Sequence, residues 1–138
     1  MGAAGFLTFP VLAALSVALL FLHVLIQANL STLDRGLAWN AGPRDKPREA
    51  KSVLAGRGER MSANFRETYP GFVALVLALA VAGDPSGWGH AGALTWFAAR
   101  IVYIPLYLGG VAYIRSLAWG VAFIGLVTMF AGVLRAGG

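Results

Sequence analysis

The 138-residue chain contains no cysteine. This excludes disulfides, thiolate metal sites and a cysteine nucleophile, so any thiol chemistry must use a thiol brought by a substrate. Histidine is scarce too. His23 and His90 are too few and too far apart in sequence to suggest a metal site, and none is expected. Charge is the third shortage: 12% of residues are charged and 58% are hydrophobic. Soluble domains carry roughly 25% charged and about 45–50% apolar residues, so the chain reads as an integral membrane protein. No Lys or Arg precedes Arg35. The first apolar run therefore lacks the basic flank of a secretory leader and is read as a membrane span.

The charge that is present is concentrated. Of the eleven Lys and Arg residues, eight (Arg35, Arg44, Lys46, Arg48, Lys51, Arg57, Arg60 and Arg66) share one segment, and the net charge is +5. Beside a bilayer, such a segment faces anionic headgroups at the cytoplasmic surface; no nucleic-acid partner is expected. The connection between the second and third spans has no Lys or Arg, whereas Arg115 adds to the basic side. Four spans then put the long basic loop in the cytoplasm and both termini outside.

Apolar runs of about 20 residues cross a bilayer core. The expected architecture is all-α: a single membrane domain, 1–138, with spans at 6–30, 59–82, 91–114 and 117–134 and a cytoplasmic loop at 34–58. Gly42-Pro43-Arg44-Asp45-Lys46-Pro47 interrupts any helix in that loop, and Gly56-Arg57-Gly58-Glu59 reads as a break before the second span. Pro70 and Pro105 are expected to kink the second and third spans. His23 reads as a packed histidine, His90 as solvent-facing and Trp88 as an interfacial aromatic. Gln27 is either an interfacial amide or part of a site lining.

The stretch Arg60 to Pro70 places charged and amide groups at the mouth of the second span. Arg60, Asn64 and Glu67 are spaced i, i+4, i+7, which puts them on one helix face. Ionisable groups cost roughly 2.5–3.5 kcal/mol at mid-membrane, so such a face is a functional hypothesis rather than filler. Arg100, Tyr103 and Tyr107 repeat the pattern at i, i+3, i+7 on the third span, and Arg115 follows. The set holds three guanidiniums, an amide, a carboxylate and two phenols. Arginines bind carboxylates bidentately, and Glu67 can take an ammonium, so a small, anionic, zwitterionic ligand matches. An arginine or tyrosine beside a thiol favours its thiolate. Lowering a thiol pKa by about two units needs roughly 2.7 kcal/mol, within reach of one desolvated guanidinium.

The ordered motifs are Ala41-Gly42-Pro43-Arg44-Asp45, then Arg60-xxx-Asn64-xx-Glu67-xx-Pro70-x-Phe72, then Arg100-xx-Tyr103-xxx-Tyr107 and Arg115-Ser116. With the four-span pattern they cover nearly the whole chain. Together they resemble the MAPEG family, membrane-associated proteins in eicosanoid and glutathione metabolism, and specifically its small bacterial branch. The resemblance implies a four-helix membrane subunit in a homotrimer, in a bacterial inner membrane, with glutathione as co-substrate between adjacent subunits in the cytoplasmic half. It implies that Arg60, Asn64, Glu67, Tyr103 and Tyr107 bind glutathione, that Arg115 stabilises the thiolate, and that Ser116 is a further polar contact. Arg100 shapes the site. Ala63 stands where some members have a second basic residue, and Tyr103 where some have histidine. The first-helix arginine of the eicosanoid enzymes has only Arg35 as a candidate match.

The leading expectation is a membrane glutathione transferase, with peroxidase chemistry as a variant. Its other partners are membrane lipid and a hydrophobic electrophile arriving from the bilayer. The competing reading is a non-catalytic protein of the same fold that binds a small anion or a lipid headgroup. A channel or transporter is disfavoured by the short chain and the lack of an inverted repeat.

Overall fold

The computed structural model describes residues 3–138, so the first two residues of the expected 1–138 unit lie outside it. Six helices follow in order: α1 (Ala3–Phe6), α2 (Phe9–Arg35), α3 (Leu37–Ala41), α4 (Val53–Ala82), α5 (Trp88–Leu108) and α6 (Ala112–Gly137). Among the described residues, α2, α4, α5 and α6 are long and apolar enough to cross a membrane. At 1.5 Å per residue their 27, 30, 21 and 26 residues all exceed or match a hydrocarbon core of about 30 Å. The protein is an integral membrane four-helix bundle.

The helix ends follow local chemistry. Pro10 occupies the first turn of α2, where no backbone donor is needed. Gly36, at φ 90°, ends α2 by donating its N–H to Thr32 O. The start of α4 lies at Val53 rather than near Glu59. Ser52 caps it by accepting from Ala55 N at 3.1 Å, and the Asp34 carboxylate accepts from Lys51 N at 2.8 Å and Ser52 N at 2.7 Å. Gly56 and Gly58 are therefore helical rather than a break. Gly58 serves close packing instead, since a Cβ there would sit 2.9 Å from Leu30 Cδ1 on α2.

The second difference is at the other end of the bundle pair. The third span stops at Leu108, not at Ile114, because Gly110 turns the chain at φ 74°. Arg115 and Ser116 accordingly sit in the opening turns of α6 rather than at the tail of the helix before it. Both internal prolines, Pro70 and Pro105, lie inside continuous helices. His90, expected in solvent, is half-buried. Its Nε2 lies 2.7 Å from Leu7 O, and its ring meets Phe9 edge-on at 5.9 Å, tying the N-terminal segment to α5.

An aromatic stack joins α2, α4 and α5. Phe65 stacks on His23 at 4.1 Å and on Tyr69 at 5.0 Å, while Trp96 stacks on Phe72 at 3.8 Å. His23 is fully buried, and its Nδ1 contacts Leu19 O at 2.9 Å, as a packed histidine should. The pair α5–α6 approaches most closely through glycine. A Cβ on Gly92 would lie 2.5 Å from Gly125 O, and one on Gly125 would lie 2.7 Å from Gly92 O. Small residues that let backbones touch are the usual basis of helix association in lipid.

The polar loop is fastened rather than loose. Arg35 pairs with Glu59 at 2.6 Å, donates through Nε to Arg48 O at 2.7 Å and lies over Trp39 at 5.0 Å. Arg35 thus joins α2 to the start of α4.

Candidate functional site

Five of the polar residues singled out above come from three different helices and meet in one place. A cavity of about 290 Å³ is lined by Asn64 of α4, Tyr103 and Tyr107 of α5, and Arg115, Ser116 and Trp119 of α6. The helical spacing explains the convergence. Tyr103 and Tyr107 are one turn apart on α5, and Arg115 and Trp119 are one turn apart on α6. The short Gly109–Val111 turn then brings those two stripes together.

Within the cavity the contacts are specific. The Arg115 guanidinium lies over the Tyr107 ring, 4.6 Å from its centroid. Tyr107 and Tyr103 rings are 5.3 Å apart and inclined at 56°. Ser116 Oγ donates to Ala112 O at 3.2 Å, and its lone pairs remain free to accept.

Behind this cavity lies Arg100, which is 1% exposed. Its Nη1 donates to Asn64 Oδ1 at 3.0 Å, and its guanidinium faces the rings of Tyr103 at 4.7 Å and Phe65 at 5.2 Å. Two further nitrogens, Nε and Nη2, are buried without a hydrogen-bond partner among the described residues. Arg100 orients Asn64 and Tyr103 from behind.

Three candidates lie elsewhere. Arg60 is exposed and lines a separate cavity of about 420 Å³ with Glu49, Lys51, Ser52 and Glu59. Its guanidinium folds back over Gly56, where a Cβ would come within 3.1 Å of Nη1. Glu67 is exposed on α4, outside both cavities. Gln27 lines a third cleft with Ser31, Trp39, Asn40, Arg44 and Glu59. Trp119 does not stand out in the sequence, because the last span reads as uniformly apolar. Its position four residues after Arg115 was the available signal.

The family model of the MAPEG family matches residues 11–135. This chain belongs to the MAPEG family. No curated protein and no solved structure matches it. The matched region holds α4, α5 and nearly all of α2 and α6, with the cavity and Arg100, so membership applies to the whole bundle. MAPEG membership makes this a membrane-embedded protein of glutathione-related or eicosanoid metabolism. Among the described residues no cluster of His, Asp or Glu is arranged to hold a metal ion.

Proposed function

We propose that this MAPEG protein is a membrane glutathione transferase, acting on hydrophobic electrophiles that reach it through the bilayer. The observation that carries the reading is the cavity where the Arg115 guanidinium stands over Tyr107 beside Asn64, Tyr103 and Ser116. Its donors suit a thiolate and the amide and carboxylate groups of a tripeptide. Members of the family use glutathione. We assign Arg115 to thiolate stabilisation, and Asn64, Tyr103, Tyr107 and Ser116 to positioning. Exposed Arg60 and Glu67 lie on α4 on either side of Asn64, where they can meet the charged ends of the tripeptide in an assembled homotrimer. Arg100 holds Asn64 and Tyr103 in place.

The chemistry follows from these roles. The thiol releases its proton to solvent, and Arg115 offsets the negative charge left on sulfur. The thiolate attacks an electrophilic carbon, a C–S bond forms, and the displaced group leaves with the electron pair of its own bond. With a lipid hydroperoxide the same thiolate attacks oxygen. The O–O bond breaks, the terminal oxygen stays on sulfur as a sulfenic acid, and the alkoxide takes a proton and leaves as an alcohol; a second glutathione thiol then attacks that sulfur, giving the disulfide and water. The bulk of the basic loop lies on the cytoplasmic side in this reading, where glutathione is available, and the membrane is a bacterial inner membrane.

The test is an ultraviolet difference titration of detergent-purified protein with glutathione at neutral pH. A saturable thiolate band, absent with S-methylglutathione, is expected. Arg115→Ala should keep glutathione binding and lose the band, with turnover down about a hundredfold, as for removal of one charge-stabilising donor. Binding without any thiolate band in the natural protein would favour the non-catalytic reading, in which the same donors hold a small anion or headgroup. Unchanged turnover in the variant would remove Arg115 from the mechanism.

A further inference from the structure

Arg57 belongs to the basic segment of the sequence, yet its side chain reaches across the bundle. From the second turn of α4 it reaches the turn between α5 and α6. Its Nη1 donates to Leu108 O at 3.1 Å. Leu108 is the last residue of α5, where backbone carbonyls lack helical partners and a cation is favoured by the helix dipole. Two residues on, Gly110 takes φ 74° and lies against the same guanidinium. A Cβ on Gly110 would run into Arg57 Nη2 and stand 2.6 Å from Cζ and 2.9 Å from Nη1. Three guanidinium atoms at such distances mean that its flat face covers the glycine. The positive φ favours glycine here, and any side chain would push the guanidinium off the turn.

That turn is the hinge of the cavity. Gly110 N donates to Tyr107 O at 3.1 Å, Val111 N to Leu106 O at 3.0 Å, and Arg115 N to Val111 O at 3.2 Å. The turn therefore sets where Tyr107, the last tyrosine of α5, stands relative to Arg115, in the first turn of α6. Arg57 and Asn64 are seven residues apart on α4, hence on one face of the same helix. One rigid element thus presents Asn64 to the cavity and clamps the turn that carries the other wall.

We propose that Arg57 is a positioning residue: its guanidinium locks the Leu108–Gly110 turn and so holds Arg115 over Tyr107. Its consequence for thiol ionisation rests on the glutathione reading above; the lock itself does not. Breaking the lock lets the α5 and α6 walls shift, and Arg115 loses its fixed distance from the thiolate while the binding contacts of Asn64 and Tyr103 persist.

The experiment uses the full chain in detergent, with Arg57→Ala, Arg57→Lys and Gly110→Ala. Amide hydrogen exchange at Gly110, Val111 and Arg115 should speed up about tenfold in Arg57→Ala while Leu19 in α2 is unchanged. The pH at which bound glutathione half-ionises should rise by about one unit, a tenfold smaller thiolate fraction, with glutathione affinity retained. Arg57→Lys, which supplies one donor but no flat face, should restore part of the exchange protection. Gly110→Ala adds strain at a positive φ to the loss of that contact, so exchange at the turn should speed up at least as much as in Arg57→Ala. If Arg57→Ala does not fold, Arg57→Lys carries the same readouts. Unchanged exchange at the turn overturns the proposal. Faster exchange with unchanged thiol ionisation also overturns it, reducing Arg57 to a tether. A natural protein that shows no thiolate band at all sinks the glutathione reading instead, and exchange at the Arg115 amide then decides whether the lock exists.

Discussion

At the scale of single residues, the buried guanidinium of Arg100 is the most demanding group in the bundle. It is 1% exposed and relies on Asn64 Oδ1 at 3.0 Å and on two aromatic faces. Substituting Asn64 by Leu keeps the volume and removes the acceptor. A further buried donor is then stranded beside Nε and Nη2, at a cost of about 1–3 kcal/mol. The thermal midpoint in detergent should fall accordingly; an unchanged midpoint would mean that water or a bound molecule satisfies Arg100. Asn64 thus has two tasks, which its spacing from Arg60 did not disclose. The helical period placed Arg60, Asn64 and Glu67 on one face of α4. Which of them turn inward was decided by what stands opposite. Asn64 meets Arg100, whereas Arg60 meets the loop around Lys51 and Ser52. No feature of α4 alone carries that information, because the partner lies 36 residues along the chain.

Among the helices, the contrast between glycines is sharp. Gly92 of α5 stands where a Cβ would strike Gly125 O and Met129 N, both backbone atoms that cannot swing away. Gly92→Ala should therefore push α5 from α6 and destabilise the bundle by about 1–3 kcal/mol. Gly120→Ala, where nothing lies within 4 Å, should be neutral or should stabilise α6 by up to about 1 kcal/mol through helix propensity. Thermal unfolding of the two variants side by side checks this, and equal effects would contradict the packing argument. The number and order of the spans were legible from apolar run length. Their ends were less so. Gly56 and Gly58 resemble a break in sequence, yet the Ser52 cap and the fit of Gly58 against Leu30 extend α4 back to Val53. The turn at Gly110 moves Arg115 from one helix to the next, which alters the wall it belongs to.

For the whole molecule, the bundle leaves large apolar side chains outward along its spans, among them Phe21 at 60% and Phe130 at 55% exposed. Lipid covers such surfaces in a membrane-embedded family, and in the proposed trimer neighbouring subunits cover part of them. Native mass spectrometry from detergent should give three times the 14.5 kDa subunit mass; a monomer would count against the trimer and against Arg60 and Glu67 completing the site there. Because the chain has no cysteine, single substitutions label cleanly. Asp45→Cys should react from the cytoplasmic side and Ser86→Cys from the opposite side, and the reverse pattern would invert the proposed topology. Composition and periodicity determined that this chain lives in a bilayer, that it is helical with four spans, and which polar residues stand out against an apolar background. Those properties depend on local hydrophobicity and on the 3.6-residue repeat, both written along the chain. Only the tertiary structure decided that Asn64, two tyrosines, Arg115, Ser116 and Trp119 share a cavity, that Arg60 faces another, and that Arg57 grips the turn between α5 and α6. Those facts depend on contacts between distant segments, whose geometry is set by side-chain fit and a single left-handed glycine.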